Sequence, residues 1–226
     1  MKTTVLSQLD IQTIVVQVGV DRLMDELIAR LEDAFRSFDP QQTIVPVRDG
    51  FNYSSPRSGL LEWMPLLQTG EHVLMKMVGY HPQNPDLSGL PTILSDFSLY
   101  NATTGRLEAV VDGTLLTAFR TGAASAVASR FLGSPDSRVV GLIGCGAQAV
   151  TQLHALSRVF DVQRVRFFDT DFATMDSFEQ RCRQFVSDAK FKMSSIEDVL
   201  ELSDVCLLYT SPSPRDRTRS RMPSSA

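Results

Sequence analysis

The stretch Arg138-Val-Val-Gly-Leu-Ile-Gly-Cys-Gly-Ala-Gln-Ala149 decides the fold of this 226-residue chain. Val139 to Ile143 is a continuous apolar run of the kind that fills a strand buried on both faces of a parallel sheet. A glycine turn follows. Gly144 allows the tight bend, Gly146 keeps a Cβ out of the path of a pyrophosphate, and Ala149 lets the next helix lie close to the sheet. That helix is expected over Ala147 to Phe160, with Val150, Leu153, Leu156 and Val159 at helical spacing. Its first-turn N–H groups and partial positive charge suit phosphates. Arg164 to Phe168 reads as the second strand, and Asp169 at its end falls where ribose hydroxyls would lie. The GxGxxA pattern alone is a weak signal, because glycine turns between strand and helix also arise for packing. The strand, helix, strand and acid around it turn it into a dinucleotide site.

Working downstream, a helix is expected around Phe172 to Ser187, a strand near Phe191 to Met193, a helix from Ser195 to Leu202 and a strand opening at Val205. This βαβαβ order implies a parallel sheet, about half of a six-strand nucleotide domain. Upstream, Asp21 is placed to cap a helix through about Phe38, with Leu23, Met24, Leu27, Ile28, Leu31 and Phe35 on one face. Strands are expected at Thr43 to Val47, Gly59 to Met64, His72 to Tyr80, Thr92 to Tyr100 and Leu107 to Asp112. A helix from Leu115 to Leu132 leads into the nucleotide unit, its Gly122-Ala-Ala-Ser-Ala126 run allowing close packing. The fold class is therefore α/β: an incomplete Rossmann-type domain for a dinucleotide at 121–206, preceded by an α+β domain at 1–120.

Composition narrows the function. Hydrophobic residues make up 43% and charged residues 21%, as in an ordinary globular protein. The first ten residues lack a secretory pattern and no window is long and apolar enough to span a membrane, so a cytoplasmic protein is expected. Cys145, Cys182 and Cys206 have neither disulfide-framework nor zinc spacing, and His72, His81 and His154 lack metal-ligand spacing. From Leu207 onward the sequence turns abruptly to Ser, Pro and Arg. Residues 207–226 resemble translated adapter or vector sequence and are expected to form a non-native disordered tail; a native disordered tail would have similar composition. The whole chain carries a net charge of −4, and without that basic tail 18 basic and 25 acidic residues leave −7. No basic face for nucleic acid is left.

Four charges stand where charge is costly. Lys76 lies in a strand whose two faces are otherwise mostly apolar, and a buried ammonium needs an anion or must lose its proton. Arg120 has Leu116, Ala123, Ala124 and Val127 as helical neighbours, so an inward guanidinium suited to gripping a carboxylate is expected. Arg48 ends an apolar strand, and Glu62 sits between Leu60 and Met64 on one strand face. Each alone can be an ordinary ion pair or a solvated strand end. Together they suggest a pocket for a carboxylate and an amine beside a nicotinamide.

The stretches Gly59-Leu-Leu-Glu-Trp-Met-Pro65, Lys76-Met-Val-Gly-Tyr-His-Pro82 with Asn84, Thr117-Ala-Phe-Arg-Thr-Gly-Ala-Ala-Ser-Ala126, and Gly141 to Gln148 with Phe168-Asp-Thr-Asp171 carry a resemblance. Over about residues 5–206 the chain resembles ornithine cyclodeaminases, within the ornithine cyclodeaminase/mu-crystallin family. The resemblance implies that Arg48, Lys76 and Arg120 bind the amino-acid substrate, the arginines holding its carboxylate, that Glu62 is a pocket carboxylate, and that Lys76 is catalytic. It assigns cofactor contacts to Thr92, Gly144, Gly146, Ala147, Gln148 and Asp169, with the acid at Asp169 favouring NAD over NADP. The implied reaction converts L-ornithine to L-proline and ammonia: NAD takes a hydride from the α-carbon, the δ-amine attacks the imine, ammonia leaves and the hydride returns. A homodimer is implied for the intact protein, with 1–120 as its substrate-binding and dimerisation domain and 121–206 as its Rossmann-type NAD-binding domain. The family's catalytic aspartate and a segment returning to the first domain fall beyond this sequence, so the 226-residue chain is expected to be inactive. Alternatives within the same resemblance are an NAD(P)-dependent imine reductase or amino-acid dehydrogenase, and a mu-crystallin-like ligand-binding protein.

Overall fold

The computed structural model describes residues 2–208. Its elements in chain order are β1 (Thr4–Leu6), α1 (Gln8–Val18), α2 (Val20–Arg36), β2 (Thr43–Ile44), β3 (Asp49–Tyr53), β4 (Gly59–Gln68), β5 (His72–Tyr80), α3 (Asn84–Ser88), β6 (Ile93–Asn101), β7 (Leu107–Asp112) and α4 (Thr114–Leu132). They continue with β8 (Val139–Ile143), α5 (Ala147–Ser157), β9 (Arg164–Phe168), α6 (Phe172–Asp176), α7 (Phe178–Cys182), β10 (Lys190–Met193), α8 (Ile196–Glu201) and β11 (Val205–Leu208). The chain divides into two compact units within α4, between Val127 and Ala128. The division expected after residue 120 falls in the same helix. Among the described residues, no helix is long and apolar enough to cross a membrane.

In the first unit, seven strands form one sheet ordered β1-β7-β6-β5-β4-β2, with β3 also paired to β4. All pairings are antiparallel except β1 with β7. Because side chains directly opposite one another point to the same face, the register lines up Met64, Lys76, Phe97, Val111 and Leu6 across five strands. Four elements here, β1, α1, β3 and α3, were not expected from the sequence. The helix α1 forms despite its β-branched Ile, Thr and Val residues because Ser7 and Asp10 close a capping box at its start. It ends at Gly19, whose φ of 88° few other residues tolerate, and Gly19 rather than Asp21 is the N-cap of α2. Met24 and Ile28, one turn apart, form the buried stripe of α2. The strand expected over 43–47 stops at Ile44, since Pro46 has no N–H for a ladder. Pairing resumes in the unexpected β3.

The second unit is a four-stranded, all-parallel sheet ordered β10-β9-β8-β11. In chain sequence its strands run third, second, first, fourth, the doubly wound arrangement with its switch point between β8 and β11. Val140, Leu142, Leu153, Leu156, Val165, Phe167 and Phe178 form the core. The helix expected over 172–187 is interrupted at Ser177, which ends α6 and opens α7. Asp171 starts α6 by accepting the Ala173 and Thr174 N–H groups, and the break at Ser177 precedes the placement of Phe178 and Cys182 in the core. Leu207 and Leu208, the first two residues of the expected tail, pair with Leu142 and Ile143 at the end of β11. Residues 209–226 lie outside the described part.

Candidate functional site

The first unit gathers four charges. Lys76 is held in the middle of the sheet at 7% exposure, with its ammonium 5.3 Å from the centre of the Phe97 ring directly opposite. Its pKa falls to about 8, first because burial disfavours the ammonium and then because Arg120 and Arg48 add positive charge around it. Arg48 immediately precedes β3, and its guanidinium lies 3.8 Å from the Glu62 carboxylate. The hairpin sets this pair, since Gly50 stands opposite Glu62 and a Cβ on residue 50 would overlap the Glu62 backbone. Arg120 departs from the inward position expected: it is exposed. The apolar side of α4 is carried by Phe119, Ala123, Ala126 and Val127, leaving Arg120 at its border with a stem long enough to reach water. Enough protein surrounds the exposed guanidinium to hold its pKa below the usual value, by desolvation first and by the charge of Arg48 second. Three cations thus act on one another, and one of them, Arg48, is paired with Glu62; such an excess of positive charge favours an incoming anion.

A buried pair not foreseen from the sequence fixes this geometry. The hydroxyls of Ser95 and Thr117 lie 2.8 Å apart and tie β6 to α4, one turn before Arg120. Gly113 has its own role at the same place, because a Cβ there would overlap the Phe97 ring. Thr92, expected to touch the cofactor, lies just ahead of β6, where its carbonyl accepts the His81 N–H at 2.8 Å.

The second unit builds the glycine turn at the carboxyl end of β8. Gly144 takes φ 99° and donates its N–H to the Phe168 carbonyl at 2.8 Å, joining the ends of β8 and β9. Gly146 is the N-cap of α5, which no side chain caps, and nothing lies within 4 Å of where a Cβ on Gly146 would stand. Ala147 and Gln148 form the first residues of the helix, and Ala149 is buried where it meets the core. Asp169 accepts the Cys145 N–H at 2.6 Å with one oxygen and the Asp171 N–H at 2.9 Å with the other. Each oxygen keeps a further lone pair for a ribose hydroxyl. Cys145, between the glycines, is buried, and its thiol is pushed up to about 12 by burial, with Asp169 adding to the shift. It fits there as a small neutral side chain. Arg181 of α7 reaches back to the turn and donates to the Cys145 carbonyl, a contact with no counterpart in the sequence pattern. An open helix start, a glycine with room beside it and an acid after the second strand together fit a dinucleotide.

This strand order and turn define a dinucleotide-binding protein of the Rossmann type. The chain belongs to the ornithine cyclodeaminase/mu-crystallin family, whose model matches residues 9–214. It is 42% identical to the L-lysine cyclodeaminase of Streptomyces rapamycinicus over 182 residues, 80% of this chain and 53% of the relative. A solved lysine cyclodeaminase, described in terms of its recognition of L-lysine, L-ornithine and L-2,4-diaminobutyric acid, superposes with a TM-score of 0.85 at 45% identity, over 94% of this chain and 62% of that one. An archaeal alanine dehydrogenase dimer with bound NAD superposes with a TM-score of 0.79 at 32% identity, over 93% and 61%. The chain spans about half the length of the curated relatives it matches.

Proposed function

We propose that the whole protein is an NAD-dependent cyclodeaminase of a basic amino acid, with L-ornithine or L-lysine as substrate. The observation that carries this reading is the mutual influence of Lys76, Arg48 and Arg120, with Arg48 paired to Glu62. Three mutually repelling cations are relieved by a substrate carboxylate, and the one acid supplies a counter-charge for an amine. In this reading the two arginines hold the α-carboxylate, Glu62 orients Arg48 and faces the amino side, and Lys76 completes the grip. With a pKa near 8, Lys76 can also hold or release a proton close to neutral pH. Holding the carboxylate rigidly is what aligns the α-hydrogen for transfer.

Gly144, Gly146, Ala147 and Gln148 would hold the pyrophosphate and Asp169 the ribose. An acid there suits the free hydroxyls of NAD rather than a 2′-phosphate. When bound, NAD supplies a hydride acceptor that returns what it takes, so that an α,ω-diamino acid closes to a cyclic imino acid and releases ammonia with no net oxidation. The relatives of this chain include an L-lysine cyclodeaminase at 42% identity, which extends the substrate reading from ornithine to lysine.

The intact protein is proposed to act as a homodimer. The sheet face carrying Trp63, Pro65, Met75 and Met77, opposite to that of Lys76, is only partly covered within one chain. The alanine dehydrogenase neighbour is itself a dimer.

That neighbour also favours a second reading, an NAD(P)-dependent dehydrogenase or imine reductase. One experiment separates the two. The whole protein is incubated with ornithine or lysine and NAD while ammonia, cyclic imino acid and NADH absorbance are followed. Proline or pipecolate appearing with ammonia and no net NADH supports the cyclodeaminase. Stoichiometric NADH points to the dehydrogenase.

A further inference from the structure

We infer that Arg181 is a positioning residue for the dinucleotide, acting by locking the direction of the peptide between Cys145 and Gly146; the inference rests on the dinucleotide reading of the glycine turn. One nitrogen of Arg181, Nη2, donates to the Cys145 carbonyl at 2.6 Å and to the Thr174 carbonyl at 2.9 Å. The Cys145 N–H is held from the other direction by Asp169 at 2.6 Å. The single residue between the two glycines is therefore gripped at both its amide and its carbonyl, by an acid from the end of β9 and a base from α7.

Geometry gives this grip a consequence. In a planar trans peptide the carbonyl and the following N–H point in opposite directions. Fixing the Cys145 carbonyl on Arg181 therefore aims the Gly146 N–H away from α7. Glycine on either side of Cys145 leaves this peptide free to rotate unless something restrains it. Gly146 opens α5 and has vacant space beside it, so its N–H is the first donor a phosphate would meet.

Arg181 is built into the fold for this task and not for touching phosphate itself. Its guanidinium lies against the Phe178 ring at 5.5 Å, and its Nε is buried without a hydrogen-bond partner among the described residues. A half-buried, partly unsatisfied guanidinium is costly, and the two carbonyl contacts are what it is placed to make. With Nη2 engaged on those carbonyls, Arg181 differs from an arginine presented to a 2′-phosphate, and the choice between NAD and NADP stays with Asp169.

The test compares wild type, R181M and R181K of the whole protein. Dissociation constants for NADH and NADPH are measured by titration calorimetry, and kcat and the amino-acid KM are measured at saturating NAD. R181M is expected to weaken NADH about tenfold, the scale of one lost charge-assisted hydrogen bond. It should leave the NADH/NADPH preference, the saturated kcat and the amino-acid KM in place. R181K, whose ammonium can reach one carbonyl, should recover part of the loss. NADH binding by R181M equal to wild type overturns the inference. So does a loss that R181K does not ease and that comes with weakened amino-acid binding and a lowered melting temperature, the pattern of a merely structural residue. Wild-type protein that binds no dinucleotide overturns the underlying reading and takes this inference with it.

Discussion

The ammonium of Lys76 stands 5.3 Å from the ring centre of Phe97, its direct partner across β5 and β6. The ring face offers a cation some compensation for lost water, though less than a carboxylate would. The pKa of Lys76 accordingly drops from 10.5 to about 8. Because the folded-state value is the lower one, the unfolded chain binds the extra proton between about pH 8 and 10.5. Stability should therefore rise with pH through that window, and the cost of the charge should be fully present below it, on the order of 3 kcal/mol. K76M should be more stable than wild type at pH 7 and should lose that advantage by pH 10.5. Urea unfolding of both proteins across this range checks it, and parallel curves would reject it.

The same lysine predicts how an amino acid binds. A substrate carboxylate favours the charged ammonium, so binding near pH 8 should take up protons and affinity should fall as pH rises above that point. Calorimetry in two buffers of different ionisation heat reads the proton uptake directly. Binding enthalpies that do not depend on the buffer would count against a carboxylate seated by Lys76.

Gly113 and Phe97 set a packing limit. A Cβ on residue 113 would overlap the ring and come within 2.8 Å of the Ser95 hydroxyl. Gly113→Ala is expected to cost about 1–3 kcal/mol by forcing the ring aside. It should also move the pKa of Lys76, which rests against that ring. Denaturant midpoints and an NMR titration of the lysine check the two effects separately.

In the second unit Phe167 sits between Phe178 and Phe191, with ring centres 5.1 Å and 6.1 Å away. It is almost wholly buried. Phe167→Ala should destabilise this unit by about 3–5 kcal/mol through the cavity it leaves. Hydrogen exchange resolved by segment should show β8 to β10 losing protection.

Asp169 accepts two backbone N–H groups, and Asp169→Asn would turn an amide donor toward one of them. NAD affinity is expected to fall about tenfold, with the preference over NADP narrowing as the negative charge disappears. A ratio of the two dissociation constants that stays at its wild-type value would contradict this.

How far the sequence could be read depended on the range of the interactions. The turn at Gly144 to Ala149 was legible because its strand, glycines, helix and acid lie within about thirty residues and each follows a local rule. Lys76 was legible as an anomaly, since charge amid apolar alternation is rare. The capping box of Ser7 and Asp10 is a local signal for α1, but the β-branched residues that follow it have low helix propensity. β3, which sets the Arg48–Glu62 pair, carries only a weak alternation of its own and is fixed by its partner β4. The exposure of Arg120 depends on which side of α4 is packed, and a helix apolar nearly all round does not announce its border. Arg181 reads as an ordinary helical arginine until the chain folds back and brings the Cys145 carbonyl to it.

The parallel pairing of β1 with β7 has a consequence for the timing of synthesis. Thr3 reaches the Leu107 carbonyl across 104 positions, and Thr4 to Leu6 lie along Ala109 to Val111. At about 5–20 residues per second, a ribosome needs roughly 5–20 seconds to deliver that partner. Meanwhile the hairpins β4–β5 and β5–β6 can close as they emerge, so β1 is seated only after the strands that follow it have paired. A nascent chain arrested before Asp112 would hold most of a sheet with an open edge, a natural substrate for a chaperone waiting at the exit tunnel.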